Sequence, residues 1–308
     1  MKPLKLRPAF KEYLWGGTQI NGVYNKQSGF ERTAESWELS THPDGLCTVA
    51  ESGVPLAEMI AADPSMLGTA RLSDELPILV KLIDAADDLS VQVHPNNEQA
   101  RAWEKANGKT EMWYVIRAEQ DAEILYGVRE DISPEAFAEA IRNDTVLSLL
   151  ERVPSRAGMT FFVEAGTVHA IGKGNLIAEV QQNSNVTYRL YDYGRRDKEG
   201  HCRPLHIEKG VRASVLTKTA KVEPIVEAEG IRLLASCPYF EVRELTVNGE
   251  LAQRCGDGSY QCLLLTEGAV RVNDVAMNAG ETVFLPAGLG EYTVNGHGTL
   301  LQIGHPKM

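Results

Sequence analysis

A twelve-residue pattern occurs twice in this chain. GMTFFVEAGTVH (158–169) aligns without gaps on GETVFLPAGLGE (280–291), and five of the twelve positions are identical: Gly158/Gly280, Thr160/Thr282, Phe162/Phe284, Ala165/Ala287 and Gly166/Gly288. Each copy reads as a strand, a tight turn that needs glycine, and a residue set at the mouth of the next strand. Short β-type runs surround both copies, among them EMWYVI, VTYRLYDY, LLLTEGAVRV and GTLLQIG, punctuated by Gly, Pro, Asn and Asp. Many short strands with turn signals between them fit a jelly-roll sandwich or barrel. The sequence therefore predicts a mainly β protein of two related modules, residues 1–224 and 225–308, joined through TKTAKVEPIVEAEG. Helices are expected as insertions in the first module, over 96–108 (closed by Gly108) and over 133–153. The second has Ser133 as N-cap, Pro134 at its first position and Ile132 as a staple.

Composition narrows the class of partner. At 308 residues, 43% apolar and 24% charged, the balance is that of an ordinary soluble protein of two modules. A net charge of −11 argues against general nucleic-acid binding. It leaves room for a small anion in a locally basic pocket, for which Lys81, Lys109, Arg189, Arg195 and Arg196 are available. The N-terminal MKPLKLRPAFKEYLWGG lacks the apolar core of a signal peptide, and no window reaches the length of a membrane span. Five scattered cysteines, an odd count without a CxxC pair, point to free thiols in a reducing cytoplasm.

Chemistry gathers in the first module. DLSVQVHPNN (88–97) alternates, so Gln92 and His94 share one strand face while Val91 and Val93 share the other. Glu111 opens the run EMWYVI with Trp113 and Val115 on its face, and His169 follows the glycine turn. Two histidines and a carboxylate from three strand ends, with an amide beside them, make an open site for zinc or a similar divalent ion. Each also has a plain alternative: a polar strand face, a strand-end carboxylate, a loop histidine. The second copy ends in Glu291 and has no histidine pair upstream, so the second module is expected to be metal-free.

Gly158-x5-Glu164-x-Gly166-x2-His169 resembles the second cupin motif, with Glu164 in place of its proline and Lys173 in place of its asparagine. Gln92-Val93-His94 resembles the first motif with Gln for its first histidine, the usual glutamate being deferred to Glu111 behind a helical insertion. With LPILVKLIDAADDLSVQVHPNN, GKTEMWYVI, AGTVHAIGKGNLIAEVQQNSNVTYRLYDYGR, YLWGG and AESWELSTHP in order, the chain resembles the short bacterial type I phosphomannose isomerases of the cupin superfamily over most of residues 1–215.

That resemblance implies two cupin modules and one zinc ion per chain, bound by His94, Glu111 and His169, with Gln92 as a further ligand or an orienting residue. It implies catalytic roles for Arg189 and Lys109 and a sugar phosphate as partner: reversible isomerisation of mannose 6-phosphate and fructose 6-phosphate through an enediolate. Lys81 matches another family position and is expected near the substrate. Trp15 and Trp37 either line a sugar pocket or belong to the core. Arg189 and Lys109 have plain alternatives too, as a surface strand arginine and a solvated turn lysine. An iron-dependent cupin dioxygenase and a non-catalytic sugar-binding cupin are the rival functions, and monomer and homodimer are both compatible with the sequence.

Overall fold

Short strands dominate, as the alternating runs predict. The computed structural model describes residues 1–71, 73–196, 199–219 and 225–306. Two compact units emerge: Met1–Lys11 with Gln19–Leu82 and Glu223–Met308, and Glu12–Thr18 with Ile83–Val222. This grouping differs from the 224/225 division read in the sequence. The physical reason is that the first strand, Leu4–Arg7, pairs antiparallel with Thr282–Leu285, Leu4 opposite Phe284. Of the expected connection 217–230, residues 220–224 lie outside the described residues, and Ile225–Ala228 is a strand paired with Ile231–Ser236 rather than linker. No helix among the described residues is long and apolar enough to cross a membrane.

The unit built on Ile83–Val222 contains a sheet in which Val91–Val93 lies between Tyr188–Tyr191 and His169–Ile171, followed by Glu123–Val128 and Leu150–Pro154. One face of it is apolar. Val91, Val93, Leu125, Ala170, Tyr188 and Leu190 pack against Phe137, Ile141 and Ala213 from helices. Each fully buried large apolar side chain there contributes roughly 1.5–3 kcal/mol. The other face is polar, because side chains alternate: Arg189, Gln92, His169 and Tyr126 are cross-strand neighbours in one row. A second set of strands, Thr160–Val163, Glu111–Ala118 and Asn175–Gln182, runs in that order and places Glu111 opposite Val163 and Gln181.

Both inserted helices are present and shorter than expected. Asn97–Glu104 starts with a capping box between Asn96 and Gln99 and ends where Lys105 turns left-handed, before Gly108. Pro134–Arg142 begins under the Ser133 cap, as expected, but stops at Asn143–Asp144, where Asp144 has φ 57°. The apolar run beyond it becomes a 3₁₀ turn, Val146–Leu149, and then the strand Leu150–Pro154 paired with Glu123–Val128. Pairing with a sheet edge outweighs helix propensity there.

The other unit carries a nine-stranded sheet, in which Glu241–Cys255, Gly290–Gly304 and Gln261–Val272 are the long central strands. Leu263, Leu265, Val283, Leu285, Tyr292 and Leu300 from this one sheet share a single core, so the sheet curls around it. The repeat shows in the backbone. Gly166 and Gly288 both take positive φ, 96° and 78°, and each closes the same turn, Thr167 N–H donating to the Glu164 carbonyl and Leu289 N–H to that of Pro286. The copies then diverge in their side chains. Gly290, at φ 87°, opens the strand, Glu291 points outward to an exposed ion pair with Arg254, and Tyr292 turns inward. The backbone keeps the gapless register, Gly288 N–H donating to Gly256 as Gly166 N–H donates to His94, but the inward side chain is Tyr292, which faces Gln253. Tyr292, not Glu291, thus takes the inward place of His169.

Candidate metal centre

His94, Glu111 and His169 come together from three strands, their ligand atoms all within 4.8 Å of one another and all three side chains buried. His94 Nε2 is 3.5 Å from Glu111 Oε2, and His169 Nε2 is 3.4 Å from Glu111 Oε1. Donors bound tetrahedrally at zinc distances of about 2.0–2.2 Å sit about 3.3–3.6 Å apart; each histidine meets one oxygen of Glu111 at that spacing, while the widest separation within the triad, up to 4.8 Å, would have to close on binding.

The imidazoles are set for ligation. His94 Nδ1 lies 2.8 Å from the Val186 carbonyl oxygen, and His169 Nδ1 lies 2.8 Å from that of Thr167. A carbonyl only accepts, so both Nδ1 atoms carry the proton and both Nε2 lone pairs face the site. Burial, partly opposed by the Thr167 hydrogen bond, lowers the His169 pKa to about 4, which keeps this ring neutral at physiological pH. The donors nearby agree with these tautomers: Lys109 Nζ approaches His94 Nε2 at 3.1 Å, and Gln92 Nε2 approaches His169 Nε2 at 3.4 Å. The edge of Trp113 packs on His169, ring centroids 5.2 Å apart at 76°.

Lys109 is not a solvated turn residue. It is 4% exposed, and its ammonium sits 2.5 Å from Glu111 Oε2 and 3.8 Å from Glu179 Oε1. Arg189 belongs to the same polar row as Gln92 and His169, two strands from His169, a backbone separation of about 10 Å at ordinary strand spacing. Its Nη1 donates to the Pro204 carbonyl at 3.2 Å, and its buried Nε has no partner among the described residues. Burial first, then the Arg203 charge, pulls its pKa below the usual arginine value. Arg203 holds Asp192 through two bonds of 2.8 and 2.6 Å, and Arg195 lies 3.4 Å from the same carboxylate. Arg196 instead bonds the Gly200 carbonyl.

Lys81 and Trp15 are both buried. Lys81 is buried beside Glu35, 3.7 Å away, with its ammonium 5.0 Å from the Trp37 ring centroid. Trp15 is 5% exposed and stacks on Tyr13, a core position more than a pocket wall.

Three residues that sequence reasoning left aside belong to the site's frame. Glu179 accepts from Trp113 Nε1 at 2.9 Å inside the unit, and Gln181 faces Glu111 across the strands. Their signal was present: a carboxylate and an amide interrupt the otherwise apolar run LIAEVQ, and a charged residue in a strand buried on both faces needs a partner. His206 accepts the Arg189 N–H at 3.1 Å and returns its own N–H to the Arg189 carbonyl at 2.8 Å. Nothing in the local sequence marks that pairing.

Comparison with known proteins agrees with this geometry. Residues 4–126 match the model of the phosphomannose isomerase type I catalytic domain. The chain is 36% identical to mannose-6-phosphate isomerase of Streptococcus mutans over 304 residues, covering 96% of each protein. The crystal structure of the mannose 6-phosphate isomerase from Bacillus subtilis superposes with a TM-score of 0.92 at 33% identity, over 99% of this chain and 100% of that one. A mannose 6-phosphate isomerase bound with zinc and yttrium shares the fold, with a TM-score of 0.81 at 18% identity over 100% of both chains. Fold, motif order and full-length identity converge, and the chain belongs to the type I mannose-6-phosphate isomerase family.

Proposed function

We propose that His94, Glu111 and His169 hold one zinc ion per chain, and that Gln92, Arg189 and Lys109 work beside it in the reversible interconversion of mannose 6-phosphate and fructose 6-phosphate. The observation that carries this is the pair of imidazoles with Nδ1 pinned to carbonyls and Nε2 turned toward one carboxylate. Bound there, zinc would supply Lewis acidity, favouring negative charge on an oxygen of the open-chain sugar. The chain's own groups do the rest. Lys109 Nζ, held between Glu111 and His94, keeps a mobile proton at the reacting end. Arg189 has its buried Nε–H available for an anionic substrate oxygen, with its backbone fixed by His206. Gln92 lies between Arg189 and His169 in the strand row, with its amide nitrogen 3.4 Å from His169 Nε2, beside the place the ion would take.

In this reading residues 1–224 carry the chemistry and 225–308 form a metal-free module, with Lys81 and Trp15 as further substrate-side residues. The unpaired count of cysteines supports a cytoplasmic location. Chelation followed by zinc add-back tests the proposal directly. Mannose 6-phosphate turnover should fall with the metal and return with it, and a zinc-loaded protein without turnover would refute it.

A further inference from the structure

A cavity of about 560 Å³ opens on the curled sheet of the C-terminal module. Its wall includes Gln253, Gln261 and Gln302. These residues repeat the inward-facing pattern of the metal-bearing unit. Gln253 faces Tyr292 as Gln92 faces His169, Gln261 faces Leu285 as Glu111 faces Val163, and Gln302 faces Leu263 as Glu179 faces Trp113. Two residues beyond Gln253, where His94 stands beyond Gln92, is Cys255. The second module has kept the place of the metal centre and replaced its donors with amides, a phenol and a thiol. The thiol donates to the Pro286 carbonyl at 3.3 Å, and burial pushes its pKa up to about 11.

We propose that this cavity is a second, metal-independent binding site for a small uncharged polyhydroxylated molecule, a sugar or polyol. Charge selects against an anion. The cavity's Arg243 is committed to Glu227, at 2.6 Å, and to Glu241, while Arg254 is committed to Glu291 at 2.9 Å. Its hydrogen-bonding groups suit hydroxyls, which both give and accept. Gln302 Nε2 donates to Tyr292 Oη at 2.9 Å, and Tyr292 donates to Gln261 Oε1 at 2.7 Å. That chain fixes the amides and leaves the Gln302 carbonyl and the Gln253 amino group for a ligand. His305, 8% exposed, also lines the cavity, and its Nε2 has no partner among the described residues. Leu245 and Ile231 supply apolar wall for the C–H face of a sugar. The volume falls in the range of roughly 300–1,000 Å³ usual for ligand pockets.

The inference does not depend on the isomerase reading, and its test separates the two. Chelator-treated, full-length protein is titrated with D-mannitol and with D-mannose by calorimetry, and the site is located by backbone amide shifts on the unsubstituted protein. One-to-one saturable binding that is unchanged by zinc is expected, with shifts at Gly256, Ser259 and Gly304. Gln302→Leu and Leu245→Trp should each weaken it by about tenfold or more, near 1.4 kcal/mol, with isomerase activity unchanged. Absence of saturable binding for both probes, or shifts confined to the surroundings of His94 and His169, overturns the proposal even in a fully active isomerase. Undiminished affinity in both folded variants overturns it too.

Discussion

Three pairs of inward-facing positions separate the two modules: His94 and Cys255, Glu111 and Gln261, His169 and Tyr292. Glu111 and Gln261 share their strand pairing, facing Val163 and Leu285, and His169 and Tyr292 each face a glutamine. In one module both imidazoles are pinned by backbone carbonyls and a carboxylate completes the set. In the other, a phenol and amides are joined by neutral hydrogen bonds. The jelly-roll frame thus fixes where side chains converge, and the side chains alone decide what that point can do.

Removing a donor attacks the comparison most strongly. His169→Ala or Glu111→Gln should abolish zinc retention and lower kcat/KM by about a thousandfold or more, read by metal analysis and a coupled assay. The same metal analysis on unsubstituted protein should give one zinc per chain. Two per chain would mean that the second module also binds metal, and the contrast would be lost. Next in size, Arg189→Ala should keep zinc and melting temperature but cost about a hundredfold in kcat/KM; retained activity would remove Arg189 from the chemistry. Trp113→Phe deletes the bond to Glu179 behind His169 and should weaken zinc affinity by about tenfold, measured by competition with a chelator. The smallest effect belongs to the neutral module. Tyr292→Phe should cost about 1 kcal/mol of stability in thermal unfolding and leave zinc content and turnover alone.

Much of this arrangement was legible in the sequence because it is local. Alternation put Gln92 and His94 on one face, the glycine turn put His169 at a strand mouth, and Ser133-Pro134 marked a helix start that the structure keeps. Errors came where non-local pairing intervenes. LSLLERV carries a helical pattern, yet its first half closes as a 3₁₀ turn and a sheet edge captures the rest as strand. The gapless repeat named Glu291 as the partner of His169, and one left-handed glycine moved that role to Tyr292. His206 was invisible for the same reason, since it matters through Arg189, and Glu179 showed only as a charge in an apolar run, its partner Trp113 lying far away in sequence.

Lys109 bears on the order of events in the life of the protein. A carboxylate buried without a cation would oppose folding until metal arrived, since an isolated buried charge is costly. With its ammonium 2.5 Å from Glu111, the chain brings its own counter-ion. Folding can therefore be finished before zinc is met, and the ion can be lost and regained without unfolding. Lys109→Met should reverse that independence, leaving a protein whose chelated form melts well below its zinc-loaded form, where the parent shows a much smaller gap.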